Sequence, residues 1–311
     1  MKQILRNGTM INQTTGQDRF LAVLYGSVGG RLLLKPLVHP VVSKLGGMLL
    51  SSGASRLLIR PFIRKHGIDM SQYEPVKYRN YNEFFSRRIR SGMRPPDPAP
   101  DHLISPCDSK LSVFPISSGS RFQIKHTSYS TASLLRNREL ARRFDGGYLF
   151  LFRLTVDDYH RYCYVADGRK EKNVRVPGIF HTVNPIANDY YPIYKENTRE
   201  YSILHTEEFG DLLMMEVGAL LVGKIVNHHE AAKVRRGREK GFFQFGGSTV
   251  ILMTEPGSVM PDTDLLANTK AGMETVVKMG DRIGIAGRAN DKPQEKRYNY
   301  LEKAEEKGAE V

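Results

Sequence analysis

Tyr148-Leu-Phe-Leu-Phe-Arg-Leu154 is an apolar run broken only by Arg153, and it reads as a β-strand. Downstream, Leu212–Val226 holds two β-rich stretches punctuated by Gly218 and Gly223. Thr249–Met253 and Thr275–Lys278 add short β-prone pieces bounded by Gly and Pro. Regular helix–strand alternation is absent, which argues against a doubly wound nucleotide fold. The expected class is α+β: an N-terminal amphipathic helical segment followed by a mostly antiparallel β core, barrel-like or sandwich-like, with short helices. Gly280, Gly284 and Gly287 have no helix after them and read as hairpin punctuation, not as a phosphate loop.

Upstream, residues 91–101 contain four prolines in eleven positions, which sustain neither helix nor central strand and mark a boundary. The segment before that boundary carries nearly all of the net charge of +13. Residues 1–95 hold 5 Lys and 11 Arg against Asp18, Asp69, Glu74 and Glu83, a balance of +12 that calls for a local anionic surface. Phe20–Gly30, Pro36–Ser43 and Leu45–Ser55 are charge-free, but each is well short of the roughly 18–20 residues that cross a bilayer. Arg56, Arg60 and Arg64 then recur at i, i+4, i+8 among Leu57, Leu58, Ile59, Phe62 and Ile63. On a helix this makes a basic stripe beside an apolar face, suited to lying among lipid headgroups. The alternative is a core-packing helical hairpin with a solvated face. A nucleic-acid arm is disfavoured, because aliphatic residues outnumber stacking aromatics. The division expected is 1–95 as a basic amphipathic helical membrane-associating region, 96–287 as the β-rich domain carrying the chemistry, and 288–311 as a charged tail.

Across 311 residues, 40% are hydrophobic, enough for a sizeable core. Two cysteines exclude a disulfide framework and a four-thiolate zinc site, and point to a reducing compartment. His228-His229 lacks ligand spacing, so no metal site is expected. There is no internal repeat and no signal-peptide pattern.

The chemically informative segment is Gly241-Phe-Phe-Gln-Phe-Gly-Gly-Ser-Thr-Val-Ile-Leu252. Two glycines before a Ser-Thr pair put an unhindered carbonyl next to a hydroxyl at a turn entering a strand. Attack of Ser248 Oγ on the Gly247 carbonyl would convert peptide to ester. Elimination and hydrolysis would then leave a pyruvoyl group. A free hydroxyl is a weak nucleophile and needs a base, itself oriented by a further group. Candidates are Asp108, in Ser105-Pro-Cys-Asp-Ser-Lys110, and His160, in Asp158-Tyr-His-Arg161.

These segments together resemble the phosphatidylserine decarboxylase proenzymes. The likeness runs in order through Asn80-Tyr-Asn-Glu-Phe-Phe-Ser-Arg-Arg88, Arg94-Pro95, the Asp108 and His160 segments and Val183-Asn-Pro-Ile-Ala187. It continues through Glu196-Asn-Thr-Arg-Glu200, Val217-Gly-Ala219, the Gly247-Ser248-Thr249 site and Lys278-Met-Gly280. The resemblance implies self-cleavage between Gly247 and Ser248 into a β chain, 1–247, and an α chain, 248–311, whose first residue becomes a pyruvoyl cofactor. That group would capture the amine of phosphatidylserine and withdraw the electrons released with carbon dioxide. Asp108 matches the aspartate that orients a histidine in the family's self-cleavage triad. His160 matches the histidine tied to decarboxylation. The second histidine of the family motif is replaced by Cys163. Three substitutes stay open: His160 in both steps, His181 or His205 from elsewhere, with His181 preferred, or Cys163 itself.

The partners implied are an anionic phospholipid membrane, the phosphatidylserine substrate and the α chain held by the β chain, with homodimer formation left open and no nucleic acid. The location implied is peripheral, on the cytoplasmic side of the cell membrane. Alternatives are a pyruvoyl decarboxylase for another serine-headgroup lipid, and an inactive homologue acting as a lipid adaptor.

Overall fold

Every residue of Ser248–Thr254 is buried, and this strand lies inside the largest sheet. The computed structural model describes residues 2–11, 23–117, 121–124, 127–188, 190–219, 224–244 and 248–287. Gly247, residues 12–22 of the basic segment and the 288–311 tail fall outside them. The strands used below are β1 (Lys2–Leu5), β2 (Ser109–Pro115), β3 (Tyr148–Leu154), β4 (Arg161–Cys163), β5 (Arg199–His205), β6 (Asp211–Val217), β7 (Ile225–Asn227), β8 (Glu239–Phe243), β9 (Ser248–Thr254) and β10 (Met273–Val277).

The central path of the large sheet runs β5-β6-β9-β3-β2-β10-β1. Neighbours along it are antiparallel except β1 and β10, which pair in parallel. The run Tyr148–Leu154 is β3 in full. Its one charged residue, Arg153, is buried and pairs with the Glu274 carboxylate on β10, so the interruption in the apolar pattern is a neutralised charge. Among the described residues the path of the sheet ends at Ala232–Val234 on one side and Met10–Ile11 on the other, so the expected barrel-like closure is not seen. A second, three-stranded sheet runs β7-β8-β4. Gly241 sits at a register shift in β8, where a Cβ would come within 2.0 Å of the Val226 carbonyl oxygen, so only glycine fits.

The N-terminal region departs from the division at residue 95. Lys2–Leu5 is a strand of the large sheet, hydrogen-bonded to Met273–Val277. A four-residue strand whose partner lies some 270 residues away has no local signature. Helices follow at α1 (Val28–Leu37), α2 (Pro40–Leu50) and α3 (Ile59–His66). Pro40 opens α2, with the His39 ring accepting from Val41 N–H, and Gly67 at φ 59 ends α3. The stripe of Arg56, Arg60 and Arg64 does not lie on one α-helix: Gly53–Leu58 is a tighter 3-10 turn leading into α3. Asn80 caps α4 (Tyr81–Phe85) by accepting from Glu83 N–H at 2.9 Å. Tyr81, Phe84 and Phe85 of α4 join Ile59 in a small core that also touches Val156, just beyond β3. The helical region is thereby fastened to the loop that carries His160.

Gly280, at φ 92, does not punctuate a hairpin. It turns the chain out of β10 toward Arg282–Ala286, which pairs in a different sheet.

Candidate active site

Strand register gathers the chemistry at one end of the large sheet. Ser248 opens β9 opposite Leu154, the last residue of β3. Thr249 faces Val217 at the end of β6, and Val217 faces Arg199 at the start of β5. On the other side Lys110 faces Arg153, and Ser109 faces Val277. Every strand end that meets here borders a segment singled out by its letters.

Ser248 is wholly buried, and among the described residues its Oγ has no hydrogen-bond partner, which is true also of the adjacent Thr249 Oγ1. Leaving a buried hydroxyl unpaired costs about 1–3 kcal/mol, so the arrangement needs a reason beyond stability. His160 lies six residues past Leu154, and its carbonyl accepts from Phe243 N–H at 2.9 Å, five residues ahead of Ser248. Its ring centroid lies 4.0 Å from that of Phe85, the two rings tilted by 40°, and the residue is also wholly buried. Nδ1 lies 3.0 Å from the Asp158 carbonyl oxygen. A carbonyl can only accept, so Nδ1 carries the proton and Nε2 keeps its lone pair. Among the described residues that buried Nε2 has no hydrogen-bond partner. Burial is the main influence on the ring and depresses its pKa to about 4, leaving it neutral at pH 7.

The loop between β3 and His160 is pinned by a buried ion pair. Lys110 Nζ meets both Asp158 oxygens at 2.8 and 2.7 Å, and Thr155 N–H and Oγ1 donate to the same carboxylate. Thr155 Oγ1 in turn accepts from Lys110 Nζ at 2.7 Å.

Asp108 is buried, but its carboxylate is engaged by other groups than a histidine. Arg94 Nε and Nη2 approach at 2.9 and 2.7 Å, Met279 N–H donates at 2.9 Å, and Lys278 Nζ sits at 3.2 Å. Its strand begins two strands over from Ser248, roughly 10 Å by strand spacing. The expected orientation of a histidine by Asp108 is therefore not what its hydrogen bonds do here. They tie Arg94, just ahead of the prolines, and the segment after β10 to the start of β2.

His181 is buried with both ring nitrogens facing partners: Tyr25 Oη 3.3 Å from Nδ1, and Glu196 Oε2 3.4 Å from Nε2. It stacks on Tyr191 at 4.6 Å, and burial depresses its pKa to about 4. Asn197 links it to the site, bonding the His181 backbone N–H and carbonyl and the Gly218 carbonyl. His205 lies at the opposite end of β5, between Glu171 and Asp211, away from Ser248. Cys163 is buried with Sγ 3.9 Å from the Ser105 carbonyl oxygen. Burial pushes its thiol up to about 12, so it is protonated and is a poor base. Cys107 and Cys163 are both free. Among the described residues no cluster of ligand-type side chains could hold a metal.

The letters did not reveal the pairings. Arg94, Lys110, Asp158, Asn197 and Lys278 all sit inside motifs already noted, yet which joins which is decided by strand register. Tyr25 carried no signal at all.

A buried hydroxyl and a buried imidazole lone pair, both without a partner among the described residues, therefore lie on segments that meet at one end of the sheet. A sequence profile described as phosphatidylserine decarboxylase matches residues 81–285. Phosphatidylserine decarboxylase proenzyme 2 of Clostridium acetobutylicum is 44% identical over 271 residues, 86% of this chain and 91% of that protein. The phosphatidylserine decarboxylase proenzyme of Ruminiclostridium cellulolyticum is 38% identical over 88% of this chain and 93% of its own length, and that of Desulfitobacterium hafniense 35% over 88% and 94%. The chain belongs to the phosphatidylserine decarboxylase family and is a decarboxylase.

Proposed function

We propose that this decarboxylase matures by cutting its own backbone between Gly247 and Ser248, carries a pyruvoyl group at the head of β9, and works docked on an anionic membrane. The observation that supports the cut is the buried Ser248 Oγ without a partner. His160 is the group best suited to take its proton, because Nε2 is the free lone pair. His181 has both nitrogens facing partners, and Cys163 is held protonated by burial.

In the cut, Ser248 Oγ bonds to the Gly247 carbonyl carbon as its proton passes to the base. The C–N bond breaks and its nitrogen takes a proton, giving an ester. Loss of the Cα proton of Ser248 expels Gly247 as a carboxylate and leaves an enamine, and water then replaces the nitrogen, releasing ammonia. The position fits a pyruvoyl group, because the hydroxyl that would be consumed stabilises nothing in the folded chain. Once formed, that group supplies a carbonyl electron sink. The protein's contribution is to exclude water around it, with Ser248, Thr249, Leu154 and Val217 all buried, and to keep His160 neutral and able to move a proton at Nε2.

Docking is supported by the helical region. Leu57 is 81% exposed and Leu49 72%, and Leu33 and Met48 are also exposed. Arg56, Arg60, Arg64 and Lys65 are exposed close by. Apolar side chains rimmed by cations suit an interfacial lipid surface. Among the described residues no helix is long and apolar enough to cross a membrane.

The intact masses of purified wild-type and Ser248→Ala protein test the cut. Two chains breaking at 247/248, with the small one blocked at its N-terminus, are expected for wild type, and one whole chain for the variant. An uncut wild type that still releases carbon dioxide from phosphatidylserine refutes the reading. Turnover on a panel of serine-headgroup lipids fixes the substrate.

A further inference from the structure

Arg87 is 1% exposed, and no carboxylate pairs with it. Its guanidinium lies over the Tyr73 ring at 4.4 Å and the Phe84 ring at 5.0 Å. Nη2 reaches the Tyr73 hydroxyl at 3.2 Å and the carbonyl oxygens of Asp157 and Asp158 at 3.3 and 3.4 Å. Nε and Nη1 have no hydrogen-bond partner among the described residues. Burying a cation without a counter-charge is costly, and two aromatic faces with three weak acceptors offset only part of that cost. The geometry of those acceptors shows what the cation does there.

The Asp158 carbonyl oxygen that accepts from Arg87 is the same atom that accepts from His160 Nδ1. A carbonyl has two lone pairs and serves both donors. Asp158 is thereby gripped twice, its carboxylate by Lys110 and Thr155 and its carbonyl by Arg87. Arg87 also anchors Asp157, one residue earlier, so two successive peptide units before the histidine hang on one guanidinium.

We infer that Arg87 is a positioning residue for His160: it holds the carbonyl acceptor in place and so fixes the ring with its proton on Nδ1 and its lone pair on Nε2. The consequence for catalysis rests on the proposed role of His160 as the proton carrier. The positioning itself does not, so the two can fail separately.

The test uses full-length protein labelled with ¹⁵N-histidine, prepared as wild type, Arg87→Met and Arg87→Lys, with His160→Gln to assign the resonance. Wild type is expected to show a protonated Nδ1 and a bare Nε2. Both Arg87 variants are expected to show a mixture of tautomers. In phosphatidylserine turnover kcat should fall about 10²-fold with KM unchanged, the loss expected from misplacing a reacting group by about 1 Å. Arg87→Lys keeps the charge but loses the fork, so it should recover stability and not the tautomer. If Arg87→Met does not fold, the Arg87→Lys spectrum decides. An unchanged His160 tautomer in the folded variants overturns the inference. A rise in KM without a tautomer change overturns it too, and shows Arg87 to contact substrate instead. If the tautomer shifts but His160→Gln leaves turnover intact, the positioning stands and the proposed role of His160 falls.

Discussion

Ser248 and Leu154 stand directly opposite one another across β9 and β3, so the residue proposed to be cut from its predecessor is already hydrogen-bonded into a sheet. β9 is paired on its other side with β6. After a break ahead of Ser248, the short chain keeps a central strand clamped between two strands of the long chain, and β10 between β1 and β2.

The two chains of the mature protein are accordingly expected to stay together without any covalent link. Native mass measurement should report one species carrying both, and denaturing electrophoresis should separate them. Dissociation under native conditions would contradict the register.

Removal of His160 is expected to abolish turnover, and its titration is expected to shape acid stability. Burial holds the folded pKa near 4, against the usual 6.5, with Asp158 and Asp157 favouring the charged ring and Arg87 opposing it. The unfolded chain therefore binds more protons between those values. The contribution is fully present above pH 6.5 and is lost as pH falls toward 4, in total about 3 kcal/mol. His181, also depressed to about 4 by burial, adds to the same window. The melting temperature should fall through that range in wild type, and less steeply in His160→Gln.

Asp108 and Arg94 form a buried pair, side chains 3% and 11% exposed. Removing Asp108 should cost about 3–5 kcal/mol, because Arg94 is left without its counter-charge, and removing Arg94 should cost less, because Lys278 Nζ and Met279 N–H still meet the Asp108 carboxylate. Denaturant titration of Asp108→Asn, Arg94→Met and the double variant measures their coupling. The pH profile of turnover should keep its shape in all three. A displaced profile in Asp108→Asn would restore the role of orienting a histidine.

Tyr25 ties the chain just ahead of α1 to the site, with its hydroxyl accepting from Thr182 N–H at 3.2 Å and facing His181 Nδ1. Tyr25→Phe removes both contacts, and about 1–3 kcal/mol of stability should go with them. Thermal unfolding reads the loss, and exchange of the Thr182 amide should quicken with it.

Replacing Arg56, Arg60 and Arg64 together by Gln should weaken binding to phosphatidylserine vesicles about 10²-fold, at about 1 kcal/mol per cation. Turnover on detergent-dispersed substrate should be unaffected. Salt should weaken wild-type binding more than that of the triple variant.

Much of this molecule was legible in its letters wherever a residue's environment is set by near neighbours. Tyr148–Leu154 announced a covered strand because apolar residues on both faces have nowhere else to go, and Gly246-Gly247-Ser248-Thr249 offered a hydroxyl next to an unhindered backbone position. The Asp108 and His160 segments stood out only through their resemblance to a known family, since each alone reads as an ordinary turn or surface residue. What each charged group meets was not legible. Arg94 reaching Asp108, Lys110 reaching Asp158, and Lys2–Leu5 joining Met273–Val277 depend on strands far apart in the chain arriving in register. Tertiary structure also set the surroundings of the candidate substitutes for the absent histidine, giving His181 two partners, shielding the Cys163 thiol and, among the described residues, leaving His160 Nε2 with none. Composition and order determine which chemistry a chain can hold. Desolvation and hydrogen bonding depend on what is packed around an atom, so only the folded arrangement decides which hydroxyl and which nitrogen are left free to react.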